Sequence, residues 1–311
     1  MNEIIKDIYK SMSNNNFKPP MIDGVSASKV FLPLKSQANT IYEHLTQQFP
    51  HINANEWMQR FENGLVYTTH GQKLRIDSIY EGNQHIYYYR FLPKETPVPF
   101  EHHILHETDE FLVVDKPHFL TMSPTGQYVQ ETLLVRLKKQ TGIETLTPIH
   151  RLDRETAGVV LFSKRPETRG LYQKLFAERK VEKTYHAVAP FKPELNFPIN
   201  LTLRLDKGEP FYTMQIVEGE SNTETLIDLL DVRAHWAKYQ LKPRTGKQHQ
   251  LRVHLNHLGI PIQNDSFYPI VQHKSDNDFT APLQLLAKEI TFIDPVDLVK
   301  KTYQSGFELL L

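Results

Sequence analysis

Hydrophobic positions along the chain repeat at two spacings, and the change from one to the other marks its elements. Residues 1–25 have little of either spacing. Their polar run and Pro19-Pro20 offer little to bury, so a poorly ordered segment is expected. Beyond it, Ile41, Leu45 and Phe49 recur at helical intervals, as do Trp57, Phe61 and Leu65. A second helix is predicted over residues 54–63, with Gly64 ending it. Val66-Tyr67 and Thr69 then read as a strand, Gly71 as a turn and residues 86–91 as another strand. Residues 26–95 are thus expected to form a small α+β accessory domain. In residues 92–100 three prolines keep the chain extended and predict a linker.

Residues 96–311 read as one larger domain. The run 111–115 is a buried strand, and residues 132–140 form an amphipathic helix with Leu133, Leu134 and Leu137 inward. The β-branched and aromatic run 159–162 is a core strand. Pro166 opens a helix whose apolar stripe is Leu171, Leu175 and Phe176, with Arg169, Lys174, Arg179 and Lys180 outside. A strand over 181–189 follows. Short alternating segments at 199–203, 211–216, 223–230 and 237–241 are separated by Lys207-Gly208 and Glu218-Gly219 turns. That pattern predicts an antiparallel sheet rather than βαβ units. Residues 241–255 read as strand end, turn and helix, with Thr245 and Gln248 as a capping box and Leu251, Leu255 and Leu258 buried. The last strand is expected over 285–292. The fold class is α+β, with a mixed, mainly antiparallel central sheet and flanking helices.

Composition narrows the chemistry. There are no cysteines, which excludes disulfides, thiolate metal sites and cysteine nucleophiles. The N-terminus lacks the apolar stretch of a secretory signal, and no run approaches the roughly 18 apolar residues of a membrane span. A soluble cytoplasmic protein is the expectation. With 36 basic and 36 acidic residues the net charge is zero, which by itself argues against a nucleic-acid binder. The distribution argues the other way. From Arg233 to Asn264 there are six Lys or Arg and no Asp or Glu, a local basic patch on a neutral protein. His102, His103 and His106 have no second ligand cluster, and Ile104 and Leu105 between them read as strand core, so no metal is expected.

The chemistry centres on residues 149–158. His150-Arg151-Leu152-Asp153-Arg154 crowds charge immediately before the core strand, so Asp153 sits on a loop held by a rigid element. Between two arginines its carboxylate is suited to act as nucleophile or base. On residue types alone, an aspartate that pairs with arginine and caps a turn is the competing account. Arg244, Gly246 and Lys247 before the 250s helix suggest a phosphate site at a helix N-terminus. The spacing is not that of a Walker loop, and His249 and His254 do not form a zinc-protease pair. Lys116 is open to two readings, an RNA contact or a partner for a carboxylate.

The string His150–Gly158 resembles the H-R-L-D-x-x-T-S-G motif of the RluA-type pseudouridine synthases, with Ala157 where serine is usual. Val114-Asp115-Lys116-Pro117 resembles the family's first motif, without its following glycine. Lys183-x-Tyr185-x-Ala187 resembles a later one. Residues 245–254 resemble T-G-R-x-H-Q-I-R-x-H, with Lys247 and Leu251 as exchanges, and residues 259–268 resemble G-x-P-I-x-G-D-x-x-Y with Asn264 for glycine. Residues 285–292 resemble the final strand without its usual histidine. Residues 26–95 resemble, loosely, a reduced S4-like RNA-binding domain.

The resemblance implies isomerisation of uridine to pseudouridine in ribosomal or transfer RNA, by a monomer that needs no cofactor. It implies that Asp153 acts on a flipped uridine, that Tyr185 stacks on the base, and that Arg252 pairs with the aspartate. Arg151 would fill the space the base leaves, and Arg154, Lys116, Arg244, Lys247 and His249 would line the RNA path. Two alternatives stay open: a noncatalytic RNA-binding protein, and a glycoside or nucleoside hydrolase using Asp153, for which Glu155 is the near second carboxylate.

Overall fold

The computed structural model describes residues 17–90, 95–275 and 277–311. The chain forms two compact units, residues 1–93 with 138–144, and residues 94–137 with 145–311. Most of the segment read as poorly ordered, together with residue 91 and residues 92–94 of the linker, lies outside the described residues.

In the smaller unit, β1 (Ser28–Leu32), β2 (Val66–Thr68) and β3 (Gln84–Tyr88) make an antiparallel sheet in the order β1-β3-β2. Helix α1 (Ile41–Gln48) starts at a capping box: Thr40 accepts from the Glu43 amide and Glu43 accepts from the Thr40 amide. Helix α2 (Ala54–Glu62) ends at Asn63, followed by Gly64 with φ +63, as the sequence predicts. Trp57, Leu45, Leu32 and Ile86 form the core. Residues 17–25 are better held than their composition suggests. Val25 is buried, Ile22 and Val25 exchange backbone hydrogen bonds, and the Tyr89 hydroxyl donates to the Pro20 carbonyl.

In the larger unit, residues 95–100 are fastened rather than free. Glu95 accepts from the amides of Val129, Gln130 and Glu131, and Arg136 donates to the carbonyls of Val98 and Phe100. The strands are β4 (His103–Glu107), β5 (Phe111–Lys116), β6 (Thr147–Pro148), β7 (Ala157–Ser163), β8 (Glu182–Pro190), β9 (Ile199–Leu203), β10 (Leu205–Lys207), β11 (Met214–Ile216), β12 (Thr223–Arg233), β13 (Trp236–Pro243), β14 (Leu285–Ile293) and β15 (Lys300–Gln304). All but β10 and β11 share one sheet in the order β4-β5-β7-β14-β8-β13-β12-β9, with β15 on β14 and β6 on β7. Every pairing is antiparallel except β7 with β14.

That parallel contact lasts two residues, Ala157 and Gly158 against Leu286 and Ala287. A Cβ on Gly158 would lie 2.2 Å from the Ala287 carbonyl oxygen, and its φ is +115, so only glycine lets the strands close here. The point matters because the Asp153 loop leads straight into it.

Three helices flank the sheet: α3 (Leu133–Thr141), α4 (Pro166–Ala177) and α5 (Gln250–His257). The inward residue of α4 is Tyr172, not the predicted Leu171, which is 45% exposed; the Tyr172 hydroxyl donates to Asp294. In α3, Leu133, Val135 and Leu137 are buried, and Leu134 only partly so. Leu251 and Leu255 of α5 pack with Ala187, Tyr239, Leu241 and Leu285. His103 and His106 lie against Phe307 and Tyr303. Among the described residues no helix is long and apolar enough to cross a membrane, and no cluster of His, Asp and Glu could hold a metal ion.

Candidate active site

Asp153 lies on the loop between β6 and β7, and its neighbours pin the loop at several points. Ile149 and His150 are tied to Leu161 of β7: the Ile149 amide donates to its carbonyl, and His150 Nε2 accepts from its amide at 3.1 Å. His150 stacks on Phe176, and burial pushes its pKa down to about 3, so it is a neutral acceptor. Thr156 N closes the turn on the Asp153 carbonyl at 3.2 Å.

Two residues expected on the RNA path also brace this loop, Lys116 from the interior and Arg154 from the wall of a smaller cavity beside Asp153. Lys116 is fully buried, and its Nζ donates to the carbonyls of Pro117, Leu120 and Arg154 at 2.9–3.0 Å. Burial lowers its pKa to about 7 against the pull of Asp153. It is neither an RNA contact nor a carboxylate partner; it satisfies three turn carbonyls that lack strand partners. Arg154 donates to the Phe119 carbonyl at 3.1 Å and lies over the Tyr128 ring at 5.0 Å. Phe119 takes the positive φ, +64, near the position of the family's missing glycine, and is packed by Phe100 and Phe279.

Beside the loop, α5 begins at Gln250, five residues later than Thr245. The capping box does not form. The Thr245 hydroxyl accepts from the Glu224 amide of β12 and donates to Gln250 Oε1, while Gln250 Nε2 donates to Glu224 O and Thr225 Oγ1. Tertiary contacts thus hold the turn that a local cap was expected to make. His249 precedes the helix in the left-handed region, φ 52, and caps nothing with its side chain. The phosphate site expected at the helix start becomes a loop, with Arg244 and Lys247 exposed on it and Arg244 paired to Glu224 at 3.2 Å.

Arg252 is the electrostatic hub. Its side chain is 1% exposed and sits against the rings of Phe267 and Tyr268. Nε and Nη2 donate to Asp265 at 2.8 and 2.5 Å, and Nη2 also donates to Glu155 at 3.1 Å. Nη1 lies 3.9 Å from Asp153 Oδ2. Burial alone would lower the guanidinium pKa, but Asp265, Glu155 and Asp153 more than offset it, and the shift is upward. The expected Arg252–Asp153 pair is therefore present, as the longest of three. Asp265 and Glu155 were missed as a pair from sequence. The family's G-D-x-x-Y spacing was the available signal for Asp265; Ser266, which donates to Glu155 at 2.7 Å, gave none.

His249 approaches Asp153 from another side, with Nε2 3.8 Å from Oδ2. Burial lowers its pKa to about 4 despite Asp153, so it is neutral at pH 7. The Met214 amide donates to the Tyr268 hydroxyl, which lies 2.9 Å from His249 Nδ1. All groups are satisfied when the hydroxyl donates to Nδ1, which leaves Nε2–H turned to the carboxylate.

Asp153 separates two cavities. The larger, about 670 Å³, falls in the range of small-molecule sites. Tyr185 is on its wall, held in β8 between Leu241 of β13 and Ala287 of β14. Burial, then the charge of Asp153, raises the Tyr185 pKa and keeps the phenol neutral. Among the described residues Asp153 is the one carboxylate lining this cavity, against Arg151, Arg179, Lys183, Arg244, Lys247 and Arg252. Of the four cations expected outside α4, Arg179 alone joins the wall; Lys174 and Lys180 pair with Glu178, and Arg169 donates to Thr145 O. Lys183 donates to the Thr245 carbonyl, and burial lowers it to about 8.

A lone carboxylate in a cationic, aromatic-walled cleft suits a polyanionic substrate and one reacting centre. Comparison with known proteins agrees. Residues 110–257 match the family model described as RNA pseudouridylate synthase. The chain is 31% identical over 214 residues to the tRNA pseudouridine synthase C of Vibrio parahaemolyticus, covering 63% of this chain and 87% of that protein. It is 31% identical over 187 residues to human pseudouridylate synthase RPUSD2, covering 58% of this chain but 33% of the longer relative. The solved structure of human RNA pseudouridylate synthase domain containing 1 shares the fold, with a TM-score of 0.56 at 23% identity over 69% of this chain and 86% of that one. The family model and the Vibrio relative agree with the sequence motifs: the chain belongs to the RNA pseudouridine synthase family.

Proposed function

We propose that this protein converts specific uridines of ribosomal or transfer RNA to pseudouridine, with Asp153 as the reacting group. The observation that carries the proposal is the single carboxylate among six cations in the larger cavity. In this reading the target nucleotide leaves its stack and enters that cavity, where Tyr185 supports the base. Asp153 attacks C1′ or the uracil ring, or takes a proton from C2′. The C1′–N1 bond breaks, the uracil turns and C5 bonds to C1′; the bond Asp153 made is broken again, or the C2′ proton returned, C5 loses its proton and N1 gains one. No atom is lost from the RNA, so no co-reactant is required. Arg252 orients Asp153 and is itself fixed by Asp265 and Glu155. Arg151, exposed at the mouth, fills the gap in the RNA stack, and Arg244, Lys247 and His249 border the strand.

The hydrolase reading is less well supported. A glycosidase needs two placed carboxylates, and Glu155 is already bonded to Arg252 and Ser266. The S4-like reading of residues 26–95, action as a monomer and a cytoplasmic location belong to the same proposal.

The test is pseudouridine mapping in bulk RNA from cells lacking the gene, after incubation with wild-type protein or Asp153→Asn. New positions made only by the wild type are expected. RNA bound with no new position would instead favour the noncatalytic binder.

A further inference from the structure

We infer that the second, smaller cavity beside Asp153, together with the β10–β11 hairpin tip, seats one unpaired base of the RNA next to the target uridine. The seat presupposes the proposed function only in placing the target in the larger cavity. At about 310 Å³ the smaller cavity is at the low end of ligand sites, which run from roughly 300 to 1,000 Å³. It shares Arg151, Asp153, Gln248, His249 and Arg252 with the larger one. A strand that delivers one nucleotide to the first cavity therefore carries its neighbour to the second.

The walls suit stacking. Tyr212 of the hairpin tip faces Phe267 with ring centroids 5.3 Å apart at 45°. The inner side of Phe267 is occupied by the Arg252 guanidinium. Next to Tyr212, and 5.5 Å from it edge-on, the Phe211 ring is 81% exposed. This exposure is not that of a loose loop. Thr213 N and Oγ1 both donate to the Pro210 carbonyl, Gly208 N donates to the Thr213 carbonyl, and Gln248 Nε2 donates to the Tyr212 carbonyl. The Met214 amide joins the tip to Tyr268, and through it to His249. A braced tip thus presents a large apolar ring to water next to Tyr212, which lines the smaller cavity together with Asp153.

Charge fits the same occupant. Arg151 and Lys274 line the cavity, while its two carboxylates, Asp153 and Glu155, both lie against Arg252. Cations remain for phosphate while the aromatic rings take the base. Stacking tolerates any base, so the seat would strengthen binding next to the target without reading sequence.

The test uses the full chain and bulk RNA from cells lacking the gene. Initial rates of pseudouridine formation are measured against RNA concentration for wild type, Phe211→Ala and Phe211→Trp. Leu310→Ala removes another exposed apolar side chain as a control. Ultraviolet cross-linking followed by peptide mass analysis locates bound nucleotides. For Phe211→Ala the half-saturating RNA concentration should rise at least roughly fivefold, with the saturated rate within about twofold of wild type. Phe211→Trp and Leu310→Ala should stay near the wild-type value, and nucleotide adducts should appear on the Phe211-Tyr212 peptide. Unchanged half-saturation in Phe211→Ala, or no adduct there from an active enzyme, overturns the seat alone. Adducts at the tip from a wild type that makes no pseudouridine would leave the seat standing and overturn the proposed function instead.

Discussion

Arg252 and Asp153 share an ion pair, yet replacing one or the other should have very different consequences for stability. Arg252→Met removes a guanidinium that holds Asp265, whose side chain is fully buried, and Glu155, 14% exposed. Breaking a buried pair by removing one partner costs about 3–5 kcal/mol. The larger unit has about 210 residues, and in that size range each kcal/mol moves Tm by about 2–4 °C. Arg252→Met should therefore melt roughly 6–20 °C below wild type. Asp153→Asn loses only a 3.9 Å contact from a side chain that is 24% exposed. A pair of that kind contributes under about 1 kcal/mol, so its Tm should stay within about 4 °C of wild type. Turnover should be lost in both. Circular dichroism melts of the three proteins, with pseudouridine formation measured on the same samples, check this. Equal melting of the two variants, or a deep loss in Asp153→Asn, would refute the assignment of Arg252 as a hub held mainly by the other carboxylates.

Lys116→Met leaves three carbonyls without their donor. It should destabilise by about 3 kcal/mol or more and reduce turnover, because the Arg154 carbonyl loses its tether; a melt like that of wild type would contradict the structural role. Gly158→Ala meets the Ala287 backbone and should give little folded protein, which expression and circular dichroism will show. His118, His150, His249 and His254 are held neutral by burial, with pKa values of about 4, 3, 4 and 4. The unfolded chain takes up their protons below about pH 6.5, so their contribution is complete above that value and is lost as pH falls toward the folded values. The slope is up to about 1.4 kcal/mol per pH unit for each histidine. A Tm that stays flat from about pH 7.5 to 5 would show that these rings are not buried neutral.

Strands β5 and β7 were legible because both faces are buried along runs dominated by apolar residues. Asp153, Tyr185 and Arg252 were legible as letters of a motif, and the sheet order brings their elements together. What the sequence hid was the use to which each charge is put. Lys116 looks like a surface cation, but a buried turn with unpaired carbonyls draws it in. The start of α5 was misplaced because Thr245 bonds to Gln250 and across to Glu224 of β12, a partner 21 positions away. Glu155 resembled a spare carboxylate until Arg252, 97 residues on, claimed it. Tyr172 outranked Leu171 because its hydroxyl finds Asp294 across the fold.

Because Asp265 and Glu155 fix Arg252, the architecture of the cleft does not depend on Asp153, the proposed reacting group. Asp153→Asn then becomes a reagent as well as a control. It keeps the cationic wall, relieves it of its opposing charge and, on the proposed function, should bind the target without converting it. Immobilised and exposed to a total RNA pool, it is bait for the molecule this enzyme normally lets go, and sequencing what it retains would name the target.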